Sequence, residues 1–448
     1  MRILHLSDIH FREPDCLEPA TDTDRPYRTV LEQDIVDLCR DGKHVDAILV
    51  GGDIAYKAHP DEYKAAQEWL EALAAKCHCP RESIYVVPGN HDVDQKVCQK
   101  ALAVSNAQEA IVRAPDANRS RVLREQLRDV EVGRSLFLPL EAYNNFAASF
   151  NCNVYPSRPY WFDTLELSAG LKLRLFGLTS TLLSGLGKRD DEPGHLYLSP
   201  LQTVFEKDRD IVNLVICHHP PHWFVDVTQV DDDVNSRTKL QFFGHEHTQR
   251  CTRDPAYTRF KAGAVNPDKR ELGWRPGYNL VDLDVIDTGA ARTLRVTAHV
   301  RQWQNAPEMF IPVKDPLGNN VWVNNMAAPE HFPLSAPPSV ATIPEPHLPH
   351  TKIAEAAHTT ADLAANTVAK LEATMSTPST RNLIYRFWNH LDVSDRRDIA
   401  LKLGLITQED LAAKVPDSER YGKALELAGS RGLLMDLARE VEAIEQKQ

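Results

Sequence analysis

Five short stretches of the sequence concentrate side chains that can hold a cation or move a proton. They are Asp8-Ile9-His10, Gly51-Gly52-Asp53, Gly89-Asn90-His91-Asp92, His218-His219-Pro220-Pro221 and Gly244-His245-Glu246-His247. Their donors are carboxylate and amide oxygens and imidazole nitrogens, with no thiolate among them. That mixture suits manganese, iron or zinc, whereas calcium prefers oxygen cages and copper(I) prefers sulfur. Seven donors (Asp8, His10, Asp53, Asn90, one of His218 and His219, His245 and His247) exceed the needs of a single ion. They suffice for two divalent ions if one carboxylate bridges. Two ions about 3.5–4 Å apart activate a water and clamp the oxygens of a phosphoryl group. Glycines ahead of Asp53, Asn90 and His245 let the backbone turn sharply and approach closely.

Taken singly, each stretch reads as an ordinary turn or a solvated loop. Placement changes that reading, because each one directly follows a predicted strand. Residues 3–6, 47–50 and 83–87 read as buried strands, with helical spacing over 27–39 and 61–76 between them. Such a rhythm predicts a sheet covered by helices, and ligands bind outside the carboxyl ends of its strands. Further strands are expected at 160–167, 171–177, 212–217, 240–243, 278–286 and 293–300, with Asp287-Thr288-Gly289 as a hairpin turn. Residues 97–150 read as a helical insertion. Its arginines, from Arg113 to Arg134, alternate with Asp116, Glu125, Asp129 and Glu131, which predicts a solvated face.

Composition bounds the class. The chain has 448 residues, 42% hydrophobic and 25% charged, which excludes disorder over its whole length. No uninterrupted apolar run is long enough for a membrane span, and the first residues lack a signal-peptide pattern. A cytoplasmic location is therefore expected. The net charge of −12 argues against a general nucleic-acid coat but leaves room for a local basic groove. Eight cysteines lie between Cys16 and Cys251, too sparse for a disulfide scaffold, and Cys77 and Cys79 read as reduced structural thiols. Seven prolines between Pro329 and Pro349 mark a solvated linker. The expected domains are 1–326, a linker at 327–350 and a helical module at 351–448. Apolar faces around Leu383, Ile384, Phe387, Trp388 and Leu391, and around Ile399, Leu401, Leu403, Leu405 and Ile406, define the module, with Gly404 as a helix stop.

The five stretches, in this order, resemble the calcineurin-like metallophosphoesterase superfamily over residues 1–322. The resemblance implies an α/β fold, a four-layered α/β/β/α sandwich with a dinuclear centre at the sheet edge. One ion would be held by Asp8, His10 and His247, the other by Asn90, His218 and His245, with Asp53 bridging. His218 is favoured over His219 as the first residue after a strand. His91 would face the scissile phosphate and Asp92 would orient it. The motif order looks most like the branch holding cyclic-nucleotide phosphodiesterases and DNA-repair exonucleases, so a nucleotide or nucleic-acid phosphodiester is the expected substrate. A phosphomonoesterase or protein phosphatase on the same site is the alternative, and a non-catalytic scaffold would lack ligands that are present here. Trp223 and Phe224 would pack the loop beside the site. The stretch from Arg396 to Leu405 resembles small adaptor modules fused to effectors of bacterial conflict systems. That implies a protein partner or self-association through the faces around Trp388 and Leu403, and a tail separable from the enzyme near His350.

Overall fold

The computed structural model describes residues 1–40, 42–168, 170–186, 191–261, 264–266, 275–288, 291–329, 375 and 377–447. Strands β1 (Arg2–Leu6), β2 (Ala47–Val50) and β3 (Ile84–Val86) pair in parallel, as their short, wholly apolar or buried sequences predict. Helices α1 (Arg25–Leu38) and α2 (Pro60–Lys76) connect them. Helix α2 starts where Pro60 fits the first helical position and Glu62 bonds back to the His59 N–H at 3.1 Å. It buries Tyr63, Ala66, Leu70, Leu73 and Ala74, one face at helical spacing.

The insertion is helical, as expected: α3 (Gln95–Lys100), α4 (Leu102–Arg113), α5 (Asp116–Arg128), α6 (Val130–Phe137) and α7 (Glu141–Ala147). Arg113, Arg119 and Arg121 pair with Glu109, Asp116 and Glu125 on their own helices. The second sheet runs β4 (Trp161–Ser168), β5 (Leu171–Leu178), β6 (Ile211–Cys217), β7 (Leu240–Phe243) and on to an edge pair, β8 (Arg250–Arg253) and β9 (Thr258–Lys261). Its order is β4-β5-β6-β7-β9-β8, with α8 (Val227–Arg237) before β7. The chain then returns to the first sheet. The long hairpin β10 (Gly277–Asp287) and β11 (Arg292–Asn305) pairs with β1 through β10, and β12 (Glu308–Pro312) and β13 (Trp322–Ala327) pair with β11. Both sheets share one apolar core, in which His5 of β1 lies edge-on to Phe242 of β7 at 4.8 Å. Strands β8, β9, β12 and β13 were not expected. The sequence of β8, Arg-Cys-Thr-Arg, sits at an edge and is exposed or half-buried throughout, so it carries no apolar run.

The described cysteines are all unpaired thiols, as expected. Burial pushes Cys77 up to about 12. Among the described residues, no helix is long and apolar enough to cross a membrane. The expected linker falls outside the described residues from 330 onward, as does most of 351–374.

The module forms α9 (Pro378–Asn389), α10 (Val393–Lys402), α11 (Gln408–Ala412), α12 (Asp417–Ser430) and α13 (Leu434–Glu445) around its own core of Leu383, Ile384, Phe387, Ile399, Leu425 and Leu437. Gly404 ends α10 at φ 63°, in the stop role expected of it. Two expectations need correction. Trp388 and Leu403 are half-buried against the module's own core, with Arg396 over the Trp388 ring, so they do not offer the outward faces assigned to a partner. Nor is the tail separable. Arg381 is buried at the seam, bonded to Tyr85 of β3 and to Asp163 of β4 at 3.1 Å. Tyr385 donates to Glu71 (2.7 Å), Gln67 to Asn389 (2.7 Å), Asn153 to the Ser418 carbonyl (2.7 Å) and Tyr155 to Glu426 (2.8 Å). A chain ending near His350 uncovers these buried polar groups. For the same reason, Arg381→Ala strands the Asp163 carboxylate. We expect it to lower unfolding free energy by about 3 kcal/mol in a urea titration, the order usual for breaking a buried pair. A change within about 0.5 kcal/mol would show the seam to be wet and loosely held.

Candidate metal centre

All five motif stretches leave the carboxyl ends of their strands and meet at one place. The backbone there is strained to bring them in. Asp8, His10, Asp53 and His245 have φ of 50°, 54°, 52° and 65°, a region that non-glycine residues seldom enter. Glycines permit the remaining close approaches. A Cβ on Gly52 would lie 2.6 Å from His218 Nδ1, and one on Gly244 would lie 2.5 Å from the Gly51 carbonyl.

Asp53 is central. Its Oδ2 lies 3.3 Å from His10 Nε2 and 3.4 Å from His218 Nε2, and its Oδ1 accepts from the His91 N–H at 2.8 Å. His218 Nε2 also faces Asn90 Oδ1 at 3.0 Å, and His245 Nδ1 meets the same oxygen at 2.9 Å. On the other side, Asp8 is fully buried, and its Oδ1 accepts no hydrogen bond, with His247 Nε2 3.8 Å away. Backbone carbonyls orient three of the rings through Nδ1: Asn266 for His10 (3.2 Å), Gly51 for His218 (2.7 Å) and Tyr56 for His91 (3.0 Å). Such outer contacts leave Nε2 directed inward. His219 is held differently, with Nδ1 on Ser180 Oγ (2.8 Å) and Nε2 3.3 Å from Asp191. Of the adjacent pair, it is His218 that faces Asp53 and Asn90.

Electrostatics follow from this packing. Burial opposes charge on His218, but the carboxylates of Asp53 and Asp8 outweigh it and raise its pKa to about 9. Burial would likewise raise Asp53, yet the charges of His218 and His91 and the His10 contact hold it well below the usual range. His245 is pushed far down by burial and by its neighbours His219 and His218, so it stays a neutral donor.

The expected role of Asp92 is corrected. It does not touch the His91 ring. Its carboxylate accepts from the N–H groups of Ile54 (3.2 Å), Ala55 (3.0 Å) and Gly89 (2.9 Å) and from the Tyr63 hydroxyl (2.9 Å), which ties two loops together. Burial and the nearby Asp53 charge raise it to about 6, against the pull of those N–H groups. Tyr56 orients His91 instead, through its carbonyl and through a ring stacked at 5.1 Å and 13°. No motif marked Tyr56, since only the turn after Asp53 brings it there. Phe224 is buried and Trp223 lies edge-on to His245 at 4.0 Å, so both pack the loop, as expected.

Residues 1–249, more than half of the chain, match the family model for calcineurin-like phosphoesterases. The chain belongs to that family. Residues 379–443 match the GTPase-associated adaptor domain, in agreement with the resemblance of the tail. An uncharacterized metallophosphoesterase-like protein of Bacillus subtilis (strain 168), YydB, is 24% identical over 232 residues, 49% of this chain and 42% of that protein. The chain thus spans less than half the length of this relative. Among solved structures, Vps29 of Chaetomium thermophilum is 12% identical over 73% of this chain and 100% of its own, with a TM-score of 0.27. The phosphoesterase YfcE of E. coli is 14% identical over 64% of this chain and 90% of its own, with a TM-score of 0.24. Neither score carries an argument.

Metallophosphoesterases use divalent metal ions, and the donors here suit them. Three sets each bring single donor atoms within 4.8 Å of one another: Asp8, Asp53 and His218; His10, Asp53 and His91; His218, His219 and His245. The unpartnered Asp8 Oδ1 and the crowding of His218, His245 and Asn90 donors around one point both fit a missing cation. Gly89 provides a test of this cradle. A Cβ there would fall 2.1 Å from Asp53 Oδ1. We expect Gly89→Ala to keep its circular dichroism spectrum but to lose manganese to a competing chelator at least about 10-fold more readily, as support losses of this kind do. Unaltered competition would contradict the assignment of the cradle.

Proposed function

We propose that the chain is a dinuclear metal-dependent phosphodiesterase acting on nucleotides or nucleic acid. Asp8, His10 and His247 would hold one ion, Asn90, His218 and His245 the other, with Asp53 shared. The carrying observation is the single Asp53 carboxylate between Nε2 of His10 and Nε2 of His218. Bound there, the ions would supply Lewis acidity toward water and toward the phosphoryl oxygens. The chain supplies the rest. His91, held through Nδ1 by the Tyr56 carbonyl, presents Nε2 to stabilise the phosphoryl group or protonate the leaving oxygen. Asp92 keeps the loops of Asp53 and His91 in register. The adaptor-domain match supports a protein partner for the tail, the arrangement of a nuclease effector in a bacterial defence system.

Protein loaded with metal should cleave bis-p-nitrophenyl phosphate faster than p-nitrophenyl phosphate, with cyclic nucleotides and single- and double-stranded DNA ranking the natural classes. Faster cleavage of the monoester would favour a phosphomonoesterase or protein phosphatase. Manganese should activate most, given the oxygen and nitrogen donor set. A metal titration of the rate checks this, and zinc or iron giving the highest turnover would contradict it.

A further inference from the structure

The chain carries 51 basic and 63 acidic residues, and many of its described cations are paired with carboxylates. Two at the rim of the metal centre are different. Arg12 lies two residues past His10, with its guanidinium carbon 3.8 Å from the centroid of the Tyr56 ring. Lys57 adjoins Tyr56 in sequence, and its Nζ stands 5.7 Å from the same centroid. Tyr56 is the residue whose ring stacks on His91. Arg12 is half-buried and Lys57 is exposed. Among the described residues, neither side chain forms a salt bridge or a hydrogen bond. In an acidic chain such cations ordinarily find a carboxylate, and glutamates are close at hand in Glu13 and Glu62. Glu62, however, is fully buried and committed to the backbone N–H groups of Glu13, Tyr56, Lys57 and His59. That buried carboxylate fixes the loop carrying Tyr56 and Lys57 without neutralising either cation.

We propose that Arg12 and Lys57 form a subsite for a second phosphate, next to the one that is cleaved. The subsite sets a preference for substrates with neighbouring phosphates. A guanidinium offers five donors in a planar fork that matches phosphate oxygens, and stacking on Tyr56 holds the fork in place before substrate arrives. The ammonium of Lys57 adds a mobile point charge. This inference rests on the phosphodiesterase reading for its kinetics but not for binding. The shared chemistry is a phosphate beside the scissile one, found in a nucleic-acid strand and in a nucleotide bearing a further phosphate.

Two measurements test it. The first compares kcat/KM for thymidylyl-thymidine, with one phosphate, against the same dinucleotide carrying an added terminal phosphate at either end. Wild-type protein should prefer one phosphorylated form, and Arg12→Gln should cut that ratio about tenfold, with Lys57→Gln smaller in the same direction. The second measurement uses anisotropy of a labelled ten-nucleotide single strand in EDTA, so that it does not depend on turnover. Arg12→Gln should weaken binding, and the log–log salt slope should fall by about 0.7, the value for one lost phosphate contact on a single strand. If the dinucleotides are not cleaved but the slope falls, the subsite stands and the phosphodiesterase reading fails. An unchanged ratio with an unchanged slope, or no binding by wild-type protein, overturns the subsite. Because Arg12 touches Tyr56, Lys57→Gln serves as the second variant, its side chain being exposed.

Discussion

Asp53→Asn should leave a folded chain that has lost both ions and nearly all turnover. The side chain keeps its shape but gives up the charge that two sets of donors share, one through His10 and one through His218. It also keeps an oxygen for the His91 N–H, so the loop need not collapse. Without that charge, His10 and His218 face each other's side of the centre with less to offset them. We expect metal affinity to fall at least about 100-fold, the upper end for losing an outer support and a lower bound for a shared ligand. The checks are calorimetric titration with manganese, circular dichroism for the fold, and hydrolysis of bis-p-nitrophenyl phosphate. A variant that still binds two ions with near-normal affinity would remove Asp53 from its central place.

His91→Ala should behave otherwise. His91 contacts Asp53 through its backbone N–H, which alanine retains, and its ring is held by Tyr56. Metal content should therefore survive while turnover falls roughly 10²–10⁴-fold, the usual worth of a positioned acid or base. A series of aryl phosphodiesters separates the roles. If His91 protonates the leaving oxygen, the loss grows as the leaving group becomes more basic. An equal loss across the series would mean that His91 stabilises charge on the phosphoryl group. Loss of metal in this variant would make it a ligand, a reading that its place in one three-residue set with His10 and Asp53 keeps testable.

Much of this centre was legible because its chemistry is local in sequence. Asp8, Asp53, Asn90, His218 and His245 each stand at a strand end, and strand ends of buried apolar runs such as Ala47–Val50 are easy to place. What supports the centre was not legible. Tyr56, Glu62 and Tyr63 act through backbone carbonyls, buried N–H groups and one hydroxyl, and no spacing rule announces those contacts. Asp92 illustrates the difference. Its adjacency to His91 suggested a direct bond, but a tight turn following Gly89 sends its carboxylate toward Ile54 and Ala55. The seam with the tail was hidden for another reason. Arg381 reads as an ordinary surface residue of an amphipathic helix, and only the positions of Tyr85 and Asp163 on neighbouring strands bury it. Edge strands such as β8 escaped because an edge exposes its side chains and needs no apolar alternation.

The central claim is that Asp53 lies between two ions, and anomalous scattering tests it most directly. Crystals of the protein soaked in manganese, measured on both sides of the manganese edge, should show two peaks about 3.5–4 Å apart. One should lie by Asp8, His10 and His247, the other by Asn90, His218 and His245, with the Asp53 carboxylate reaching both. A single peak at saturating manganese, or two peaks of which one avoids Asp53, would contradict the account.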